Sequence, residues 1–347
     1  MINHQFYIKR CLQIAKNGIG LARPNPSVGA VVVHQNKIIG EGFTSIYGSN
    51  HAEVNAINAV ENTSLLKEAT IYVSLEPCAH FGKTPPCADL IVKHQLKNVV
   101  IGCVDSNSLV AGKGIERLKK AGIKVIVGVL EAECRKHHKR FFSVEEKKRP
   151  FIILKWAETQ DGFIAPLNKN EQKPVWISNS YSQQLVHKLR SEEHAILVGT
   201  NTVIADNPTL NVRSWSGQNP FRIVLDANLR IPVNSSVLDG SVKTIVLFNN
   251  NKRFQPLTNI IYENINFGQN LAIQICNVLQ KHNIQSVIIE GGSQTLQTFI
   301  DENLWDEAHV FVGKTKFKEG VKAPVFNKVI KEQRNIKTDV LKIYTND

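Results

Sequence analysis

Four residues in the first quarter of the chain have types and spacing that suit one chemistry. His51 and Glu53 are one residue apart, Pro77-Cys78 follows, and a second cysteine, Cys87, comes after eight more residues. An imidazole and two thiolates form the ligand set of a zinc ion that keeps a fourth position for water and lowers that water's pKa to about 7. A carboxylate two positions after the histidine is not a ligand. It would take a proton from the water and hand it to a ring nitrogen and a departing amine. His-x-Glu followed by Pro-Cys is the pattern of zinc enzymes that remove amino groups hydrolytically, although their second cysteine normally comes after two residues. Cys87 also opens a predicted helix, where the peptide dipole favours thiolate. One alternative stays open: a structural zinc site with His80 as fourth ligand.

The elements around these residues alternate. Val28–Val33 and Lys37–Phe43 flank the polar turn His34-Gln35-Asn36 and predict a hairpin. His51–Val60 has apolar residues at helical spacing, and Thr70–Ser74 is β-branched. A helix is expected from Pro86, a strand over Val99–Val104, a helix over Gly114–Ala121 and a strand over Ile123–Val129. Such alternation predicts a sheet covered by helices. The charged stretch from Glu145 to Pro150, with its Lys147-Lys148-Arg149 cluster, reads as a solvated linker. A second series then begins, with strands expected at Phe151–Lys155, Ala195–Val198, Arg222–Asp226, Thr244–Phe248 and Ser286–Glu290. Helices are expected at Ser182–Arg190, Asn270–His282 and Gln294–Ile300. Two α/β domains in tandem follow, 1–146 and 147–347.

The second domain has no Gly-x-Gly-x-x-Gly after a strand, which argues against a Rossmann dinucleotide site. It does have Glu290-Gly291-Gly292 between a buried strand and a helix, where backbone N–H groups can meet a pyrophosphate.

Composition bounds the partners. The chain has 347 residues and a formal charge of +12. Residues 1–146 hold 18 Lys/Arg against 12 Asp/Glu, and residues 147–347 hold 24 against 18, so each half carries +6. This even spread lacks the concentrated basic arm of a nucleic-acid binder and suits small phosphorylated substrates as well. No apolar run reaches the roughly 18 residues that cross a bilayer, so no membrane partner is expected. The N-terminus shows no leader pattern and the six cysteines are dispersed, which together lead to the expectation of a cytoplasmic protein.

Arg-Pro-Asn-Pro-Ser-Val-Gly at 23–29, His51-Ala-Glu53 and Leu75-Glu-Pro-Cys-Ala-His-Phe-Gly-Lys-Thr-Pro-Pro-Cys87 together resemble the bifunctional riboflavin-biosynthesis deaminase/reductase family. In the second half, Lys155-Trp-Ala157, Trp176-Ile-Ser178, Gly199–Arg213, Arg222–Asp226 and Glu290-Gly-Gly292 resemble the reductase part of the same family. The resemblance implies a cytidine-deaminase-like α/β/α domain followed by a dihydrofolate-reductase-like α/β domain, with zinc and NADPH as cofactors. It implies deamination of 2,5-diamino-6-ribosylamino-4(3H)-pyrimidinone 5′-phosphate, then reduction of its ribosyl group to ribityl. From the residues themselves, four deaminase substrate contacts are expected: Asn25, whose amide can read a pyrimidine edge; His80 and Lys83, in the loop between the cysteines, with Lys83 able to meet a phosphate; and Asp105, at a strand end where α/β ligands commonly bind. For the cofactor the resemblance implies Ala157, Trp176, Thr202, Asp206 and the turn Gly292, Ser293, Gln294, Thr295, Leu296, Gln297 and Thr298. For the reductase substrate it implies Arg190, Leu210, Arg213 and Glu290. Association of copies through the reductase domain is a property of the family. The chain departs from the family pattern at Asp105-Ser106-Asn107, at Thr159-Gln160-Asp161-Gly162 and around Lys314. Two alternatives stay open: a nucleic-acid deaminase, and an active deaminase joined to a degenerate reductase.

Overall fold

The two strand-rich series fold separately. The computed structural model of the protein, which describes residues 3–107, 110–169, 171–249 and 258–346, divides into compact units Met1–Lys148 and Arg149–Asp347. Met1 and Ile2, part of the N-terminal stretch read above, lie outside the described residues.

In the first unit, α1 (His4–Ala15) begins where the Asn3 side chain accepts the Phe6 N–H at 3.1 Å, a side-chain N-cap. β1 (Gly29–His34) and β2 (Lys37–Phe43) form the expected hairpin, with Gln35 and Asn36 both at positive φ. That pair of left-handed residues makes a tight turn whose twist matches the strands. Then come α2 (Ala52–Asn58), β3 (Thr70–Leu75), α3 (Cys87–Lys93), β4 (Asn98–Cys103), α4 (Lys113–Lys120) and β5 (Lys124–Val127), closed by α5 (Glu131–His137) and α6 (Lys139–Lys147). Within the described residues the sheet order is β2-β1-β3-β4-β5, antiparallel across β2-β1-β3 and parallel across β3-β4-β5. β1, β3 and β4 are buried at nearly every position, which requires cover on both faces. α2 sits unusually close to β2, because a Cβ on Gly42 would fall 2.4 Å from the Ala56 backbone nitrogen.

The second unit contains β6 (Phe151–Glu158), β7 (Phe163–Ala165), α7 (Ser180–Glu192), β8 (Ala195–Gly199), α8 (Thr200–Asp206), β9 (Phe221–Leu225), β10 (Thr244–Phe248) and β11 (Ile260–Asn264). It continues through α9 (Leu271–Lys281), β12 (Ser286–Ile289), α10 (Ser293–Asp301), β13 (Glu307–Val312), β14 (Val321–Lys322), β15 (Glu332–Ile336) and β16 (Asp339–Thr345). Its large sheet runs β11-β10-β9-β8-β12-β6-β13-β16-β15 within the described residues, parallel as far as β13 and antiparallel beyond. Alternate residues feed two cores. Leu197, Ile223 and Ile289 enter one, while Ile196, Val198, Val224 and Ile288 enter the other, as a period of two dictates.

Two expectations need correction. The stretch Glu145–Pro150 holds the boundary between the units and exposes Glu146, Lys147 and Lys148, as expected, but it is not free throughout: α6 continues to Lys147, and Arg149 is bound to Asp306 at 2.6 and 3.0 Å. The charge cluster there reflects a helix end and a buried ion pair. The sequence reading also gave no strands to 260–264 or to 307–345. β15 reads Glu-Gln-Arg-Asn-Ile, an exposed edge strand without apolar alternation, so its pairing with β16 is what makes it a strand. No helix among the described residues is long and apolar enough to cross a membrane.

Candidate functional site

The starts of α2 and α3 and the chain just beyond β3 converge. His51 is the N-cap of α2, Glu53 lies in its first turn, Cys78 follows β3, and Cys87 opens α3. His51 Nδ1 is 3.7 Å from Cys78 Sγ and 3.4 Å from Cys87 Sγ, and the three ligand atoms lie within 4.8 Å of one another. Tetrahedral zinc, about 2.0–2.1 Å from nitrogen and about 2.3 Å from sulfur, separates such atoms by about 3.6 Å. The nitrogen–sulfur spacings therefore fit the ion.

The electrostatics point the same way. Hydrogen bonds from the Cys87 thiol and from His51, with the Cys87 N–H at 3.3 Å, pull the Cys78 thiol down to about 4. Cys87 shifts well upward, because its proton is held by the Cys78 sulfur. A divalent cation suits a place where two sulfurs share one proton. Glu53 is 4% exposed, and burial followed by the charge on Cys78 pushes its carboxyl up to about 7. A group poised there can both take and return a proton near neutrality.

The remaining deaminase residues are spread unevenly. His80 is exposed and does not join the ligand cluster among the described residues, so the four-ligand alternative lacks its fourth donor. Lys83 is also exposed, with its ammonium 4.0 Å above the ring of Tyr47, an aromatic residue the sequence reading passed over. Asn25 is half-buried in the connection from α1 to β1. Asp105 is 8% exposed at the end of β4, and its Oδ1 accepts the Asn107 N–H at 2.7 Å. That bond makes the turn at Asp105-Ser106-Asn107 without a proline. Burial, and then the nearby carboxylates of Glu76 and Glu145, push the Asp105 carboxyl up to about 7.

In the second unit, one cleft of about 1470 Å³ gathers most of the expected residues. Ala157, Trp176, Thr202, Asp206, Arg190, Leu210, Arg213, Glu290, Gly292, Ser293, Gln294, Thr295, Leu296 and Thr298 all line it. Its size exceeds the roughly 300–1,000 Å³ of an ordinary small-ligand pocket and suits a dinucleotide with a second molecule beside it. Gly292 caps α10 at a φ of 74°, which a side chain rarely adopts. A Cβ on Gly291 would lie 2.9 Å from Thr202 Oγ1, so the two glycines keep room over the helix start. These features fit a dinucleotide pyrophosphate on the free N–H groups of a nine-residue helix.

Gln297 is the exception. It does not line the cleft; its amide bonds Asp301 at 2.7 Å and both backbone groups of Val325, at 3.1 and 2.8 Å. These bonds hold the Gln297 side chain toward Val325, on a side of the helix other than the one facing the cleft.

A charged group sits at the cleft floor. Glu290 Oε1 accepts from Lys155 Nζ at 2.7 Å and Oε2 from Arg190 Nη2 at 2.8 Å. Burial raises the Glu290 carboxyl, but Arg190 and Lys155 outweigh it and hold it at about 2. His187, whose Nδ1 accepts the Arg213 N–H at 3.3 Å, falls to about 4 through burial and then through the charges of Arg190 and Arg213. Arg190 and Arg213 thus present guanidinium groups beside a neutral imidazole, an arrangement that attracts phosphate. Trp176 is 56% exposed over the cleft, not part of a core, and Asp206 is ion-paired with Lys169. Lys155 received no role in the sequence reading. Its signals there are its place in the family-like segment Lys155-Trp-Ala157 and its being a lysine inside the apolar run Phe151–Ala157.

Comparison with known proteins gives two family-model matches. Residues 1–103 match the cytidine and deoxycytidylate deaminase zinc-binding region, and residues 150–315 match the RibD C-terminal domain. The riboflavin biosynthesis protein RibD of Aquifex aeolicus is 41% identical over 319 residues, 91% of this chain and 88% of that protein. Its counterpart in Synechocystis is 37% identical over 328 residues, 93% of this chain and 88% of that protein. Among solved structures, the Thermotoga maritima diaminohydroxyphosphoribosylaminopyrimidine deaminase/5-amino-6-(5-phosphoribosylamino)uracil reductase superposes with a TM-score of 0.89 at 34% identity, covering 99% of this chain and 98% of that one. Acinetobacter baumannii RibD superposes at 0.88 with 32% identity, covering 99% and 98%.

Proposed function

The chain belongs to the bifunctional riboflavin-biosynthesis deaminase/reductase family, and from that premise we propose how its residues divide the two reactions. It is a zinc-dependent deaminase and an NADPH-dependent reductase, with a cytidine-deaminase-like first domain and a dihydrofolate-reductase-like second one. Residues 1–146 carry deamination and residues 147–347 carry reduction.

His51, Cys78 and Cys87 hold zinc, which supplies the Lewis acidity that makes water nucleophilic near neutral pH. Glu53 moves the protons: its carboxylate accepts one from the attacking water and passes it to the ring nitrogen, then takes the second from the added hydroxyl and passes it to the departing amine. Asn25, His80, Lys83 and Asp105 bind the substrate, a phosphorylated diaminopyrimidine, with the Lys83 ammonium available to its phosphate once it leaves the Tyr47 ring. The observation that carries this half is the cluster of three ligand atoms beside a buried carboxylate.

In the second half NADPH supplies the hydride that converts ribosyl to ribityl. Ala157, Trp176, Thr202, Asp206, Gly292 and the exposed face of α10 bind it. Arg190 and Arg213 take the substrate phosphate, Leu210 packs against the substrate, and Glu290 holds Arg190 and Lys155 in place. The even charge of the two halves supports a small phosphorylated substrate in preference to nucleic acid. Supplying the diaminopyrimidine phosphate with and without NADPH, and weighing the products, tests the whole reading. Deaminated product is expected without NADPH and ribityl product with it; unchanged substrate under both conditions would sink it.

A further inference from the structure

Glu76 lies two residues before Cys78 and outside the cluster of ligand atoms. It is 4% exposed, and a carboxylate that deep needs donors on its oxygens. Three backbone N–H groups supply them. Asp105 and Gly112 donate to Oε2 at 3.2 and 3.0 Å, and Ile115 donates to Oε1 at 3.2 Å. All three belong to the segment that runs from the end of β4 into α4, the segment that carries Asp105. The contact is tight on its other side too, since a Cβ on Gly114 would stand 2.1 Å from the Pro77 carbonyl oxygen and 3.2 Å from Glu76 Oε1.

We propose that Glu76 is a positioning residue for deamination, its carboxylate fixing Asp105 and the start of α4 at Gly112 and Ile115 against the chain just beyond β3 that carries Cys78. A carboxylate suits this role because both oxygens only accept, so one side chain can gather several N–H groups of different residues. The donors are backbone groups, so what Glu76 places is the path of the chain itself, and with it the Asp105 side chain. The metal ligand and the substrate wall are thereby held by one group. The inference rests on the reading of His51, Glu53, Cys78, Cys87 and Asp105 as a deaminase site.

Two substitutions in the full-length chain test it. Glu76→Gln keeps the volume but turns an NH2 donor toward backbone N–H groups, and Glu76→Asp keeps the charge but withdraws it by one methylene. Each is assayed for deamination, for zinc content, and for NADPH-dependent reduction of the deaminated intermediate. Both are expected to keep one zinc per chain and wild-type reduction, while kcat/KM for deamination falls at least tenfold. Combined with Asp105→Asn, Glu76→Gln should add less than a further twofold loss, because the side chain it serves is already altered. Full additivity of the two losses, or deamination at the wild-type rate in Glu76→Gln, would overturn the proposal. So would a Glu76→Asp variant that loses zinc and melts early, which would make the residue one for folding alone. A wild-type chain that neither binds zinc nor deaminates would instead sink the underlying functional reading.

Discussion

At the residue scale, two carboxyls, one in each unit, are tuned in opposite directions. Glu53 is pushed up to about 7, where a carboxyl can exchange protons near neutrality; Glu290 is held at about 2 and stays charged. Glu53→Gln should therefore lower deamination by about 10²–10⁴-fold, the usual contribution of a general acid–base, with zinc retained and reduction unchanged. Loss of both activities in a folded, zinc-loaded variant would contradict separate sites. For Glu290 the folded pKa is depressed, so its contribution to stability is fully present above the unfolded value near 4.5. It is lost as pH falls from there toward 2, roughly 3 kcal/mol in all. Denaturant unfolding of the second unit, followed between pH 5 and pH 2 (about the limits of that window), should show this decline, and Glu290→Gln should remove that share of it. The candidate zinc ligands were legible because His-x-Glu and Pro-Cys are local patterns. Lys155 and Glu76 were not, because each binds partners distant in the chain: Glu290 in one case, Asp105, Gly112 and Ile115 in the other.

At the element scale, helix starts carry the function, and what matters is how they are seated. α2 presents Glu53 because it lies against β2 over Gly42, where any Cβ would meet the Ala56 nitrogen at 2.4 Å. Gly42→Val should lift the helix, cost about 1–3 kcal/mol as other overpacked cores do, and reduce deamination more than reduction. A melting curve with paired activity assays checks both parts; an unchanged deaminase rate would mean α2 tolerates the shift. Elements also explain two departures from the family pattern. Gln160 N–H donates to Thr315 O at 2.9 Å, and Asp161 accepts the N–H groups of Phe317 and Lys318 at 3.2 and 2.8 Å. The two unusual segments are one contact, in which Asp161 fixes the loop after β13.

For the whole molecule, each candidate site draws its described residues from one unit, so the two activities should separate. Treatment with a zinc chelator should abolish deamination and leave reduction of the deaminated intermediate intact, measured by NADPH absorbance. A parallel loss of reduction would show that the second unit depends on the metal centre.

The sequence by itself determined which residues are candidates for zinc donor and proton carrier, the alternation of helix and strand, and the existence of two α/β units, since these follow from residue type, short spacing and apolar period. The tertiary structure decided what long-range pairing controls. It turned Glu145–Arg149 from a linker into a helix end and an ion pair with Asp306, and it made strands of the polar C-terminal segment. It also rotated Gln297 away from the cleft, left His80 outside the metal cluster among the described residues, and gave Lys155 and Glu76 partners that no local pattern announces. A side chain's partner across a sheet or a loop is fixed by packing, and packing is a property of the folded chain.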